Sequence, residues 1–331
     1  MTSSSRALRL PFGGRTTGAE ILDGVDLSGR RMIVTGGASG IGAETTRALA
    51  AAGAQVTVAV RDLAPVGPLV AEFGGGPGNG LVRAALLDLA DPASVTAFAA
   101  AWEGPLHALV ANAAIMAVPQ RTITSYGWEL QLATNFLGHF LLANALRPAL
   151  CAAGAARVVL VSSGAHRDWP VELDDPHFDR RPYDPWAAYG QSKSADVLLA
   201  VAIARRWVGD GITANTLNPG YVHTRLQRHV DPATMRAGGW MDAAGDLLHP
   251  AYFKTPAQGA STSVLLAGSP LVADVNGGYF EDNQLVPVAG DGSTATGDAS
   301  AVAAHALDAA TAQRLWNWTE RSVCTGQPGR R

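Results

Sequence analysis

The sequence predicts an α/β fold with a doubly wound parallel sheet, and three observations carry that expectation. Apolar runs of strand length alternate with longer helical stretches between about residues 31 and 217, the pattern of parallel strands joined by right-handed helical crossovers. A glycine-rich turn follows the first strand, at the edge where such sheets bind ligands. The 331 residues are 47% apolar and only 16% charged, which suits one large core and argues against wholesale disorder.

The elements follow in order. Residues 1–20 are polar and rich in Gly, Ser and Thr, and read as a loose arm. Arg31 to Thr35 (RMIVT) is the first strand, stopped by glycines. Ile41 to Ala52 is Ala/Leu-rich and is followed by Gly53, a helix with a glycine just past its end. Gln55 to Val60, Leu81 to Leu87, Leu106 to Val110, Arg157 to Val161 and Ile212 to Leu217 read as strands two to six. Helices are expected over about 92–102, 124–148 and 186–207. A tail helix from about Asp308 to Val323 carries Leu315, Trp316, Trp318 and Val323 as a docking face. The stretches 164–186, 222–255 and 282–306 are irregular, as lids and binding loops are.

Composition removes several function classes. A net charge of -3 gives no clustered cation excess for nucleic acid. Cys151 and Cys324 are too few for a disulfide scaffold and read as free thiols in a reducing compartment. No run approaches the ~20 apolar residues of a membrane span, and the N-terminus lacks the apolar stretch of a secretory signal. A cytoplasmic protein is therefore expected. His166, His177, His223 and His249 show no metal-ligand spacing, and VELDDPHFD reads as an exposed acidic loop, so no metal is expected.

The chemistry starts at Thr35-Gly36-Gly37-Ala38-Ser39-Gly40-Ile41-Gly42. Glycine lets a backbone turn sharply and approach a pyrophosphate without a Cβ in the way. The helix that follows offers its free N–H groups and partial positive charge to that pyrophosphate. No Lys-Ser/Thr pair follows, so a nucleotide-triphosphate loop is excluded.

TGxxxGxG after the first strand resembles the short-chain dehydrogenase/reductase family. Further motifs of that family appear in order: Asp88 after strand three, Asn112-Ala113-Ala114 after strand four, Asn135, Ser163 after strand five, Tyr189-Gly190-Gln191-Ser192-Lys193, and Pro219-Gly220-Tyr221-Val222-His223-Thr224 after strand six. The resemblance spans about 28–282 and is greatest to the branch of retinol dehydrogenases, protochlorophyllide reductases and related bacterial oxidoreductases. It implies a Rossmann-like doubly wound sheet in one catalytic domain over 28–282, with a lid at about 222–255, an N-terminal arm at 1–27 and a C-terminal extension at 283–331. It implies NAD(P)-dependent oxidoreduction of a carbonyl/alcohol pair. The cofactor set it implies is Gly36, Ser39, Gly40, Ile41 and Gly42 at the pyrophosphate, Asp88 and Leu89 in the adenine pocket, Asn112 and Ala113 on the adenosine side, Tyr189 and Lys193 at the nicotinamide ribose, and Pro219, Gly220, Val222 and Thr224 around the nicotinamide. It also implies pairing of subunits, as a homodimer or tetramer, through the two long helices.

The catalytic set is then Asn135, Ser163, Tyr189 and Lys193. Tyr189 and Lys193 are four apart on a helix and share a face. A free phenol titrates at about 10, and a nearby ammonium favours its phenolate, giving a usable acid/base. Ser163 stands at the C-terminal edge of a buried strand, where its hydroxyl can bond the substrate oxygen; the resemblance selects it over Ser162. It lies in VSSGAH and not in a G-x-S-x-G elbow, which excludes a serine hydrolase. By the same resemblance Asn135 holds a water that links Lys193 to solvent.

Arg61 follows the tip of strand two where an acidic residue would mark NAD, so NADP(H) is favoured, with NAD(H) as the alternative. The step of 26 positions from Ser163 to Tyr189, with lid residues Met235, Trp240, Met241, Leu247, Leu248, Tyr252 and Phe253, suggests a bulky apolar carbonyl substrate. The competing reading is a non-catalytic dinucleotide-binding regulator on the same fold. The intact Ser-Asn-Tyr-Lys set opposes it.

Overall fold

The computed structural model describes residues 8–74, 81–289 and 300–325. Its centre is an eight-stranded sheet of β1 (Arg31–Thr35), β2 (Gln55–Val60), β3 (Val82–Leu86), β4 (Ala108–Ala111), β5 (Ala156–Val161), β6 (Ile212–Asn218), β7 (Tyr279–Glu281) and β8 (Gln284–Leu285). The strand order is β3-β2-β1-β4-β5-β6-β7-β8. All neighbours pair in parallel except β7 and β8. The order reverses between β1 and β4, which opens a ligand crevice at their carboxyl ends. The doubly wound Rossmann-like sheet expected from the sequence is present.

The longer helices are α1 (Gly40–Ala51), α2 (Pro92–Ala100), α3 (Gly138–Ala152), α4 (Pro185–Arg206), α5 (Pro256–Gly268) and α6 (Ala309–Thr325). They cover the two faces of the sheet and bury two apolar layers. Leu109, Phe136, Leu142, Leu198 and Trp207 centre one layer, and Val34, Leu49, Val58, Val264 and Phe280 the other. Asp184 caps α4 by accepting from the N–H groups of Trp186 and Ala187, with Pro185 at the first helical position, where proline has no N–H to lose.

Four departures from the sequence reading have physical causes. The helix expected over 124–148 begins only at Leu130, and Ala133–Leu137 is a π-helical turn leading into α3. β7 and β8, three and two residues long, are too short to show a period. α5 is buried along nearly its whole length and rich in Gly, Ser and Thr, so its helicity comes from packing more than from propensity. The N-terminal arm is not loose from residue 8 onward. Gln284 bonds the backbone of Leu10 and Phe12, Asn283 Nδ2 donates to the Gly13 carbonyl, and Arg15 donates to the Phe253 carbonyl at 2.6 Å.

The tail helix docks as expected. Leu315 and Trp316 are 2% and 4% exposed. Trp316 meets Phe140 of α3 edge-on at 4.8 Å and Trp207, just past α4, at 6.0 Å. α6 therefore lies across both long helices, on a surface through which subunit pairing was expected. No helix among the described residues is long and apolar enough to cross a membrane.

Candidate active site

β1 delivers the glycine turn to the switch point. Gly36 and Gly40 have φ of +63° and +53°, the left-handed region that side chains disfavour. The turn is also closed in space. A Cβ on Gly42 would stand 2.3 Å from the Gly36 carbonyl oxygen and 2.6 Å from Asn112 Nδ2. Ser39 is the N-cap of α1, yet its hydroxyl makes no capping bond, so the first-turn N–H groups keep their open end. This is a backbone cradle at a helix N-terminus, of the kind that fits a pyrophosphate.

Thr35 ties that cradle to β4. Its buried Oγ1 accepts from the N–H groups of Asn112 at 2.9 Å and Ala113 at 3.0 Å. Asn112 Nδ2 returns a bond to the Thr35 carbonyl at 2.8 Å. On the other side, a Cβ on Gly40 would meet Thr224 Cγ2 at 2.9 Å. Thr224 itself caps the 225–229 turn by accepting from Leu226 N. Val222 is buried, and both it and Ile41 pack over Gly259 of α5. Gly220 turns with φ +81°. Asp88 Oδ1 accepts from Ala90 N at 2.9 Å, while Leu89 is buried against Gly138. The structure therefore brings the glycine turn, the Asn112-Ala113 segment and the Pro219–Thr224 turn to one sheet edge.

Arg61 is exposed just past β2 and has no ion-pair partner among the described residues. Its neighbour Asp62 is occupied, accepting from Ala64 N at 3.0 Å. Arg61 has company instead. Burial, then the charges of Arg61 and Arg225, hold the Arg228 guanidinium below its ordinary value.

The catalytic candidates converge at the ends of β5 and α4. Ser162 and Ser163 separate clearly. Ser162 is buried and donates to the Lys193 carbonyl at 2.8 Å, whereas Ser163 is half-buried at the strand edge with its Oγ accepting from Ala165 N. Tyr189 forms a small apolar cluster with Met116 and Ala117, against which Ala165, Trp186, Leu226 and Val230 pack. Tyr189 is 4% exposed, and its hydroxyl makes no hydrogen bond among the described residues. Lys193 Nζ lies 6.0 Å from the Tyr189 ring centroid and donates to the Val161 carbonyl and to Asp196 Oδ2, each at 2.9 Å.

Asn135 sits in the π-helical turn and faces the backbone of the β4 loop. Its Oδ1 accepts from Ile115 N at 2.9 Å, and its Nδ2 donates to the Ile115 carbonyl and to Ser192 Oγ. Its own carbonyl accepts from His139 Nδ1 at 2.6 Å. A carbonyl can only accept, which fixes the His139 proton on Nδ1 and leaves Nε2 to receive the Thr35 hydroxyl at 2.9 Å. Burial first, with Lys193 adding to it, pushes His139 down to about 4, so the ring is neutral at pH 7.

The sequence reading missed His139 and Asp196, although each stands at helical spacing from a named residue, four from Asn135 and three from Lys193. It also took His166 for an ordinary loop histidine. His166 is fully buried, contacts the Ser163 carbonyl through Nδ1 at 2.7 Å and accepts from Ala303 N, which ties the C-terminal extension to the site. The lid divides in two. Tyr221, Trp240, Tyr252 and Phe253 pack on one another, while Leu226 and Val230 pack against the cluster that holds Tyr189. Of the 164–186 loop, Trp186 flanks Tyr189 at 6.4 Å, whereas Trp169 packs on Gly190.

Comparison with known proteins identifies the family. The family model for short chain dehydrogenases matches residues 30–234. A probable oxidoreductase of Streptomyces lividans is 61% identical over 302 residues, covering 91% of this chain and all of that one. Mouse retinol dehydrogenase 13 is 35% identical over 314 residues, covering 92% and 88%. A solved structure of a gluconate 5-dehydrogenase from Burkholderia cenocepacia, in complex with NADP and tartrate, superposes with a TM-score of 0.57 at 25% identity over 78% and 95% of the two chains. The chain belongs to the short-chain dehydrogenase/reductase family, in its retinol dehydrogenase-like branch, and is an NAD(P)-dependent oxidoreductase acting on a CH–OH/carbonyl pair.

Proposed function

We propose that the chain is an NADPH-linked carbonyl reductase of bulky, largely apolar ketones or aldehydes, with Tyr189 as the general acid/base. The observation that carries the reading is the Tyr189 hydroxyl, which has no hydrogen-bond partner among the described residues while the ring is clamped by Met116, Ala117 and Trp186 beside the Ser163 turn. The glycine cradle, Ser39, Asn112 and the Pro219–Thr224 turn would hold the dinucleotide, whose nicotinamide supplies or takes up the hydride when bound. Tyr189 delivers a proton to the substrate oxygen in reduction and removes it in oxidation. Ser163 Oγ bonds the same oxygen and orients it. The Lys193 ammonium, beside the ring, favours the phenolate left after delivery and would bond the ribose hydroxyls of a bound dinucleotide.

Two features favour the finer parts of this reading. The charges of Arg61 and Arg225 act on Arg228, a cationic group that includes the residue just past β2 and that suits a 2′-phosphate. The walls around Tyr189 are apolar, which suits an apolar carbonyl. The test is kcat/KM for NADPH and NADH over a panel of carbonyls. NADPH is expected to lead, Arg61→Ala to penalise NADPH selectively, and bulky aromatic ketones to outperform small polar aldehydes. A wild-type preference for NADH, or an equal loss for both cofactors in Arg61→Ala, refutes the cofactor assignment, and the opposite substrate ranking refutes the pocket assignment.

A further inference from the structure

Tyr189, Lys193 and Asp196 occupy positions i, i+4 and i+7 of α4, one face of the helix. Lys193 and Asp196 are each 2% exposed. An ammonium has three protons to donate. One goes to the Val161 carbonyl and one to Asp196 Oδ2, each at 2.9 Å. Asp196 gives a single oxygen to this pair, and its buried Oδ1 has no hydrogen-bond partner among the described residues. A carboxylate left half satisfied in a buried site is costly unless its charge has work to do.

We propose that Asp196 is a positioning residue that holds Lys193 and offsets the positive charge Lys193 presents to Tyr189, so that it sets the pH range in which the tyrosine works. The proposal rests on the reading of Tyr189 as acid/base and deepens it. A phenol beside a lone buried ammonium is driven toward phenolate, which suits oxidation. A phenol beside an ion pair keeps its proton to higher pH, which suits delivery to a carbonyl. With the carboxylate on Lys193, the pair as a whole is neutral and its field at the ring is that of a dipole.

The other ionisable groups around the face do not carry this field. His139, from α3, stays neutral because burial pushes it down to about 4, and His166, after β5, is pushed to about 4 by burial in the same way. Tyr279, on β7, is driven well above the ordinary phenol range, chiefly by burial. Arg167 and Glu281 beyond it are paired with each other at 2.7 Å. Asp196 itself is raised to about 6, by burial more than Lys193 lowers it. The offset therefore weakens as the pH falls into that range and Asp196 takes up a proton.

The test is Asp196→Asn, which keeps a side-chain oxygen to accept from Lys193 and removes the charge. Two readouts are needed: the pH profile of kcat/KM for carbonyl reduction, and phenolate absorbance of the cofactor-free protein, taken as the difference from Tyr189→Phe. Both midpoints are expected to move down by roughly one to two pH units, the size of effect a unit charge has on a nearby group in a partly screened interior. Asp196→Ser, smaller and equally neutral, must move them in the same direction. Wild-type midpoints in both variants, with loss of activity only in Asp196→Ala, would show a geometric anchor and overturn the proposal. Failure of the underlying reading looks different: Tyr189→Phe would then keep its turnover and its pH limb whatever stands at 196.

Discussion

Thr35→Val is the sharpest probe of how the crevice is held together. Valine has nearly the shape of threonine, so the substitution removes a hydroxyl and little else. That hydroxyl is fully buried and satisfies three groups: the N–H of Asn112 at 2.9 Å, the N–H of Ala113 at 3.0 Å and Nε2 of His139 at 2.9 Å. In the variant the Ala113 N–H and the His139 Nε2 acceptor lose their partner, while the Asn112 N–H keeps the Val110 carbonyl at 3.1 Å. A buried polar group left unsatisfied costs roughly 1–3 kcal/mol, so two of them put the loss at about 2–6 kcal/mol. Thr35→Ser keeps the hydroxyl and drops a methyl, worth about 1 kcal/mol. Urea unfolding followed by tryptophan fluorescence gives the stability difference, and NADPH titration gives the functional one, because the same N–H groups fix the Asn112-Ala113 wall of the crevice. Affinity should fall in the valine variant and hold in the serine one. A valine variant within about 1 kcal/mol of wild type, or equal effects from Ser and Val, would refute the hydrogen-bond account.

Three other outcomes are expected. Tyr189→Phe should lower kcat by roughly 10²–10⁴-fold with an unchanged melting temperature, since the hydroxyl has no partner to lose among the described residues; wild-type turnover in a chemistry-limited assay would remove the tyrosine from the mechanism. His139 and His166 are both depressed to about 4 by burial, so each stabilises fully above about pH 6.5 and loses that contribution as pH falls toward 4, when the unfolded chain takes up the proton. The raised Asp196 carboxyl works in the opposite sense, so the check is differential: His166→Asn should flatten the stability–pH slope in that window by about one proton, and an unchanged slope counts against a neutral buried ring. Trp316→Ala should cost about 3–5 kcal/mol and uncover Phe140, Leu198 and Leu199, read by urea midpoint and by light scattering for self-association. An unchanged midpoint would mean that α6 is not docked.

What the sequence made legible was local. β1, β2, β5 and β6 fall where β-branched runs stop at polar or glycine residues. The glycine turn, Ser163 and the Tyr189–Lys193 pair are contiguous motifs, because a dinucleotide and a proton transfer each need several groups at fixed short spacing. The elements that were not legible depend on partners far along the chain. The N-terminal arm is pinned by Asn283 and Gln284 across about 270 positions. β7 exists only because Tyr279–Glu281 registers on Thr216–Asn218. His166 reads as a loop residue until Ala303 closes on it. α5 offered one local sign, the Thr255/Gln258 capping box, against a composition that argued for a loop. His139 and Asp196 show why helical spacing alone did not suffice. Each lies one turn from a residue already singled out, yet its role depends on which face is turned to the crevice. That orientation is set by the π-helical turn at Ala133–Leu137 for one and by the packing of α4 on β5 and β6 for the other. The reacting groups are thus written in short motifs, while the groups that fix their charge and geometry are selected by the fold around them.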